Sequence, residues 1–438
     1  MNSSATLPDL AAALCAVCIL LVPLAAAGLA LINAGLGRSR NAAHTMMSSL
    51  CVLAVAAAAY FICGSSWQGF PGRAAYAIQA GGKLWNWIGA DPFFLRGIDT
   101  GGSSASLTAW LGALLGMFSA GLVVLIPLGS GAERWRLGGS CASAAILAGW
   151  TYPLFAHWVW GGGWLAELGA NFGLGRGFTD VAGAGSIHAV GGLTALAIAW
   201  ILRPRRGKFA QEGMPTAIPG HNAVFVLFGC LLALLGWLGL NTAGAILYAG
   251  VGVDRVPLVA INTMLSAGSA TLASALITRT RFGKPDASLS ANGWVGGLVA
   301  SSAGCAFVIP AAAVLIGLVA GALVTLSVEW LELHLHIDDP GGAISVHGMA
   351  GIWGLLALGF FDHLPGSSGT YQWLAQLVGV ATLLGFVFPL TYALNRLLNR
   401  ISPLRVGLDG ERQGMDLHEL GANAYPELVT HQEDFTPR

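Results

Sequence analysis

Charge is what this 438-residue sequence has least of: 21 Lys+Arg and 21 Asp+Glu together make up 10% of the chain. With the two signs balanced and thinly spread, no basic surface is available to hold nucleic acid, and a DNA or RNA partner is excluded. Cysteine is sparse as well. The seven (15, 18, 51, 63, 141, 230 and 305) lie within or beside apolar runs and read as small core residues rather than disulfides or metal ligands. What is abundant is apolar surface and glycine. Hydrophobic residues make up 55% of the chain, mean hydropathy is +0.68, and 62 residues are glycine. That composition does not fit a soluble chain; it fits a polytopic membrane protein whose helix backbones pack closely.

Apolar stretches long enough to cross about 30 Å of hydrocarbon fall at 10–35, 42–64, 105–129, 138–160, 181–202, 221–248, 256–278, 287–306, 308–331, 343–361 and 372–397. The expected fold is therefore an all-α bundle of eleven transmembrane helices. The first run lacks a basic leader and is too long for a signal-peptide core, so it reads as a retained span. Eleven spans put the termini on opposite sides, and the basic residues orient them. Arg38, Arg40, Arg134, Arg136, Arg203, Arg205, Arg206, Lys208, Arg279, Arg281, Lys284, Arg396, Arg400, Arg405, Arg412 and Arg438 share one side. Only Arg73, Lys83, Arg96, Arg176 and Arg255 fall on the other, so the N-terminus is expected outside and the C-terminus inside. Residues 65–104 read as an external loop. Residues 1–398 form the membrane domain, and 399–438 form a polar cytoplasmic tail with a candidate regulatory role.

The most informative pattern is a self-similarity at an offset of 159 residues, between DVAGAGSIHAVGGLTAL (180–196) and DPGGAISVHGMAGIWGL (339–355). Asp180/Asp339, Gly183/Gly342, Ala184/Ala343, Ser186/Ser345, His188/His347, Gly192/Gly351 and Leu196/Leu355 are identical pairs. The segments are the fifth and tenth spans, so each half (10–202 and 221–361, with 372–397 as a final helix) contributes five helices. An odd number per repeat inverts one half relative to the other. Each histidine lies eight residues, about 12 Å at 1.5 Å rise, beyond the aspartate opening its helix. Descending that far from opposite faces brings His188 and His347 to a common level near the midplane. Ionisable residues at that depth point to function, the bland alternative being two neutral imidazoles that simply hold the helices together. The aspartates read first as N-caps, with Asp180 also able to favour a nearby cation.

With eleven spans, a five-plus-five repeat and D-x7-H in both halves, the chain resembles the Amt/Mep/Rh ammonium transporter family. AERWRL, HWVWGGGWLAELGA, GWLGLNTAG, DDPGGAISVHGMAGIWG and the tail GERQGMDLHELGANAYPE carry the resemblance, which is greatest to the bacterial Amt branch. It implies a homotrimer in the plasma (inner) membrane, with one pore per subunit, passing ammonium or ammonia and, as a further candidate, methylammonium. It implies neither enzyme activity nor a cofactor or metal. The family's ammonium-recruiting tryptophan matches Trp160, its buried aspartate Asp180, and its twin pore histidines His188 and His347; Trp158 and Trp164 read as interfacial belt residues. The outer ring of the gate falls at Phe118 or Ser119, depending on a one-residue slip. Trp237, Leu240, Asn241 and Gly244 match the pore-side segment. Leu240 stands where the family carries the inner gate phenylalanine, Gly244 where it carries a serine, and Asn33 where it has a tyrosine. In the tail, Glu411, Gly414, Asp416, Gly421 and Tyr425 match a pattern that lies against neighbouring subunits and, in bacterial members, receives a PII-type nitrogen regulatory protein. Leu420 stands where a histidine is usual.

Moving bare ammonium across hydrocarbon costs far more than a cation–π contact of about 0.5 to 2 kcal/mol returns. The expected solution is deprotonation near Trp160, passage of ammonia, and a proton relayed over paired imidazoles, whose ordinary pKa of about 6.5 suits the task. Two other readings stand beside it. The altered gate and entry with an intact tail suit an ammonium sensor or a poorly conducting or gas-channel member. Two histidines on facing helices also suit haem ligation.

Overall fold

The computed structural model describes residues 7–70, 73–101, 103–209, 213–362 and 371–426. The chain is mostly helical: α1 (Asp9–Leu36), α2 (Ala42–Ala59), α3 (Ser65–Gln68), α4 (Ser104–Gly131), α5 (Leu137–Ile146), α6 (Tyr152–Trp160), α7 (Leu168–Phe172) and α8 (Val190–Leu202). There follow α9 (Ala223–Leu247), α10 (Val256–Phe282), α11 (Ala287–Ser301), α12 (Pro310–Leu335), α13 (Ala350–Phe361), α14 (Gln372–Thr382), α15 (Phe388–Ile401) and α16 (Leu408–Gln413). Among the described residues, nine helices are long and apolar enough to cross a membrane. The other two expected spans are helical too. Residues 138–160 fall on α5, a π turn (Leu147–Thr151) and α6, while 287–306 begins with the 15-residue α11.

Local chemistry sets the helix ends. Ser103, Asn222 and Asp286 cap α4, α9 and α11, each accepting a hydrogen bond from a backbone N–H three residues on. Proline opens α6, α10, α12 and α15, where its missing N–H costs nothing. The bundle closes on small residues. A Cβ on Gly229 of α9 would lie 2.6 Å from the Gly28 carbonyl of α1, and one on Gly236 2.6 Å from Ala25 Cα. The two helices touch backbone to backbone there, so both glycines are required. Cys15 and Cys18 have C-x-x-C spacing, but both are free thiols buried in the core.

One expectation needs correcting. Residues 65–104 are not an irregular loop in an all-α protein: the helix continues to Gln68, and β1 (Ala75–Ala80) pairs antiparallel with β2 (Lys83–Gly89). Gly81 and Gly82, both at positive φ, supply the two-residue turn that matches strand twist. The hairpin packs on the end of α6, with Trp158 Nε1–H donating to the Trp87 carbonyl at 2.7 Å. Trp158 is thus buried under protein rather than set in an interfacial belt, because β2 covers it.

At the opposite end, the basic residues form a buried ionic lattice. Arg134, fully buried, donates to the carbonyls of Arg203 (2.8 Å), Ala132 (3.1 Å) and Asp338 (2.8 Å). Arg205 grips both oxygens of Asp338 at 2.9 Å and reaches Glu133 at 3.2 Å. Burial pushes the Asp338 carboxyl up, but Arg134 and Arg205 beside it more than reverse this and hold it at about 2. Onto this lattice docks the segment after α15. Glu411 accepts from Arg206 N (2.7 Å) and Arg405 (2.8 Å), and Asp416 from His44 N (2.7 Å). Gly414, at φ +101°, passes so close to Arg40 that a Cβ would stand 2.7 Å from its carbonyl. Gly421, at φ +70°, ends a π turn (Asp416–Leu420), and Tyr425 OH meets His221 Nε2 at 3.0 Å. His44 Nε2 pairs with Glu419 at 2.8 Å, so His44 and His221 both hold the tail. Residues 427–438, the end of the polar tail, lie outside the described residues.

Candidate functional site

Two copies of one local device carry the histidines. Asp180 Oδ1 accepts from Gly183 N (3.0 Å), and Oδ2 accepts from Gly185 N (3.0 Å), Ser186 N (2.8 Å) and Ser186 Oγ (3.0 Å). Asp339 accepts from Ala343 N (3.1 Å), Ile344 N (2.8 Å) and Ser130 Oγ (2.6 Å). Each carboxylate satisfies the orphan N–H groups of the turn it opens. Gly183 and Gly342 take the positive φ (+101° and +66°) that lets the chain fold back onto it. Both segments then run as π turns, Ala184–Ala189 and Ile344–Met349, before becoming ordinary helix. The extra residue of a π turn re-aims the side chains it carries, here the histidines.

Glycine brings the two turns together. A Cβ on Gly192 would stand 2.9 Å from the His347 carbonyl carbon, so the helices can cross there only without one. His188 Nδ1 and His347 Nδ1 lie 3.3 Å apart, with ring centroids 5.3 Å apart, and both side chains are buried. One of those nitrogens must carry the shared proton, since two lone pairs would repel. If both rings are neutral, one is the Nδ1–H tautomer and its partner the Nε2–H tautomer. His188 Nε2 has no hydrogen-bond partner among the described residues. The rings touch, so no macrocycle plane lies between them, which disposes of the haem reading.

Around the pair, the expected pore-side residues divide. Trp237 stacks on His188 (4.8 Å, 12°) and fixes its own indole N–H on Ser302 Oγ at 3.1 Å. Leu240 is buried. Asn241 turns away from the histidines, donating to Thr263 Oγ1 (2.8 Å) and Ser301 Oγ (3.1 Å), and so ties α9 to α10 and α11. Gly244 faces backbone: a Cβ there would stand 2.6 Å from the Val181 carbonyl and 2.9 Å from Ala182 Cα. On the other side, His347 borders a cavity of about 10 Å³, roughly one water, that Asn33 and Asn292 line with Leu29, Ile126 and Val295.

At the entry expected from the sequence, Trp160 is buried and donates its indole N–H to the Asp180 carbonyl at 2.6 Å. Its ring is covered by Tyr248, face to face at 4.3 Å and 7°. The two alternatives for the outer gate separate. Phe118 lines an apolar groove of about 340 Å³ with Met46, Leu50 and Leu53, whereas Ser119 is fully buried beside Tyr152. Tyr248 and Tyr152 were missed by sequence reasoning. Tyr152 carries a usable signal, lying two helical turns before Trp160 on the same face; Tyr248 comes from a remote helix and carries none.

The Ammonium Transporter Family model matches residues 13–425 of this chain. The Ammonium transporter Amt2 of Archaeoglobus fulgidus is 37% identical over 431 residues, 94% of this chain and 87% of its own. The Ammonium transporter of Bacillus subtilis is 30% identical over 94% of this chain and 97% of its own. Among solved structures, a Sensor Amt Protein superposes with a TM-score of 0.84 at 27% identity, covering 94% of this chain and 98% of its own.

Proposed function

The chain belongs to the Ammonium Transporter Family, and from that premise we propose that it moves ammonium nitrogen across the plasma membrane through the paired-histidine site. In this reading eleven helices span the bilayer, with the N-terminus outside, the C-terminus inside and the two halves inverted. Three copies assemble with one pore each. Ammonium loses its proton beside Trp160, ammonia passes the apolar constriction, and the proton travels over His188 and His347.

The observation that carries this reading is the 3.3 Å contact between the two Nδ1 atoms, buried and with a ring nitrogen on His188 that has no partner among the described residues. Such a pair can take a proton on one face and release it from the other. The inner cavity beside His347 offers room for a water to accept it. The test is the electrical response of proteoliposomes to an ammonium pulse. A saturable current in wild type, cut at least tenfold in His188→Ala and in His347→Ala, supports transport; wild-type-like currents in both variants overturn the relay.

A second reading, an ammonium sensor or a poorly conducting member, is favoured by two observations. Tyr248 covers the Trp160 ring that would hold the cation. The fold also matches a protein described as a sensor. Ammonium binding without current would select it. In either case the docked tail, through Glu411, Gly414, Asp416, Gly421 and Tyr425, is the candidate regulatory surface, including for a PII-type partner.

A further inference from the structure

Helix α14 lies outside the two repeated segments, yet two of its side chains reach the candidate site. Gln372, Gln376 and Gly379 follow one another at four and three residues, so they share one face of that helix. The face meets the strip of chain, residues 175–179, that leads into Asp180. Gln372 Oε1 accepts from Arg176 N at 3.0 Å, and its Nε2 donates to the Gly177 carbonyl at 2.9 Å. One turn on, Gln376 Oε1 accepts from Thr179 N at 2.9 Å, and its Nε2 donates to the Thr179 carbonyl at 2.8 Å. Gly379 leaves the room that the Phe178 ring fills, since a Cβ there would run into it.

Both glutamines are buried, and an amide so placed costs free energy unless its donors and acceptor are matched. Gln376 is matched twice over: its Nε2 also donates to the Leu355 carbonyl at 3.1 Å, and its Oε1 also accepts from Gln372 Nε2 at 3.2 Å. Leu355 lies eight residues beyond His347, in α13, the helix into which the His347 turn runs. Its side chain reaches back to the Asp180 turn, where a Cβ on Gly185 would stand 3.0 Å from Leu355 Cδ1. One amide therefore holds both the residue before Asp180 and the helix that follows His347.

The grip on Thr179 passes onward. Asp180 accepts the Trp160 indole N–H on its own carbonyl at 2.6 Å, so the place of Thr179 fixes the aspartate, the turn it caps and the indole together. The repeat counterpart of Thr179 is Asp338, and its carbonyl is held by a cation instead, Arg134 donating at 2.8 Å. We propose that Gln376, braced by Gln372, is a positioning residue for ammonium entry: it sets Asp180 and Trp160 against the His347 helix, and so sets the ammonium concentration at which the site fills. This rests on the ammonium-transport reading above.

The test is the ammonium-evoked current of the full-length protein in proteoliposomes against ammonium concentration, normalised to folded protein, with hydrogen exchange on the same preparations. Gln376→Met keeps the length of the side chain and removes its hydrogen bonds. In it the half-saturating concentration rises at least fivefold while the maximal current stays within twofold, a split that loss of folded protein does not produce. Gln376→Asn, which withdraws the amide by one methylene, shows the same split and serves where Gln376→Met does not fold. Thr382→Val, on the same helix and with its hydroxyl bonded to the Val378 carbonyl, leaves both quantities within twofold. A half-saturating concentration within twofold of wild type, a fall in maximal current alone, or an equal rise in Thr382→Val overturns the assignment and leaves transport standing. Absence of wild-type current removes the transport reading, and exchange then decides the clamp. Amides of 176–186 that exchange at least tenfold faster in Gln376→Met, with 343–349 unchanged, support the positioning of the Asp180 turn; unchanged protection of 176–186 overturns it.

Discussion

On the Asp180 side of the histidine pair, the carboxylate takes four hydrogen bonds from its own turn, one from Ser186 Oγ, and the approach is walled by Trp160 under Tyr248. On the Asp339 side the repeat-related Ser345 has no such bond among the described residues; Ser130 of α4 supplies the hydroxyl, and the approach is a small cavity with Asn33 and Asn292. The shared parts, an aspartate cap, a positive-φ glycine and a π turn, place the imidazoles. The parts that differ come from helices outside the repeat-related segments. Position is thus set by a duplicated local motif, while the surroundings of each histidine are set by long-range packing and are free to diverge.

The largest expected break in this symmetry comes from removing the caps. Asp180→Ala orphans three backbone N–H groups and a hydroxyl in a buried turn and should cost about 3 kcal/mol or more, whereas Asp339→Ala orphans two N–H groups and a hydroxyl and should cost about 2 kcal/mol. Thermal unfolding in detergent measures both. Equal losses would mean that the two turns are supported mainly by their neighbours. A smaller effect sharpens the same contrast on the Asp180 side: Gly244→Ser, which restores the family's usual residue, should lose about 1 to 3 kcal/mol, because its Cβ meets the Val181 carbonyl at 2.6 Å. A stability gain, or a higher ammonium affinity, would show that α9 can move aside.

Much of this was legible in the chain. D-x7-H in both repeats, combined with helical rise, anticipated that His188 and His347 meet, and they do so at 3.3 Å. The turn AYAIQAGGKLWNWI also carried a hairpin signal, two glycines between alternating runs, that the abundance of glycine elsewhere obscured. Choosing between Phe118 and Ser119 was beyond counting, because one residue of slip separates a groove-facing from an inward-facing side chain. Tyr248 covering Trp160 joins helix ends 88 residues apart, and no local spacing encodes such a contact. The same holds for Asp338, whose neighbour Asp339 has the visible capping role while Asp338 closes the ionic lattice with Arg134 and Arg205.

The measurement that bears most directly on the central claim, that the two imidazoles act as one proton-carrying unit, is a double-variant cycle on ammonium-evoked current. His188→Ala, His347→Ala and the combined variant are compared in proteoliposomes at equal protein density. If the pair is a unit, the double variant is no worse than the more damaged single variant, since either change already breaks the relay. Losses that multiply, so that the double variant falls by the product of the two single effects, would contradict it and assign each histidine an independent role.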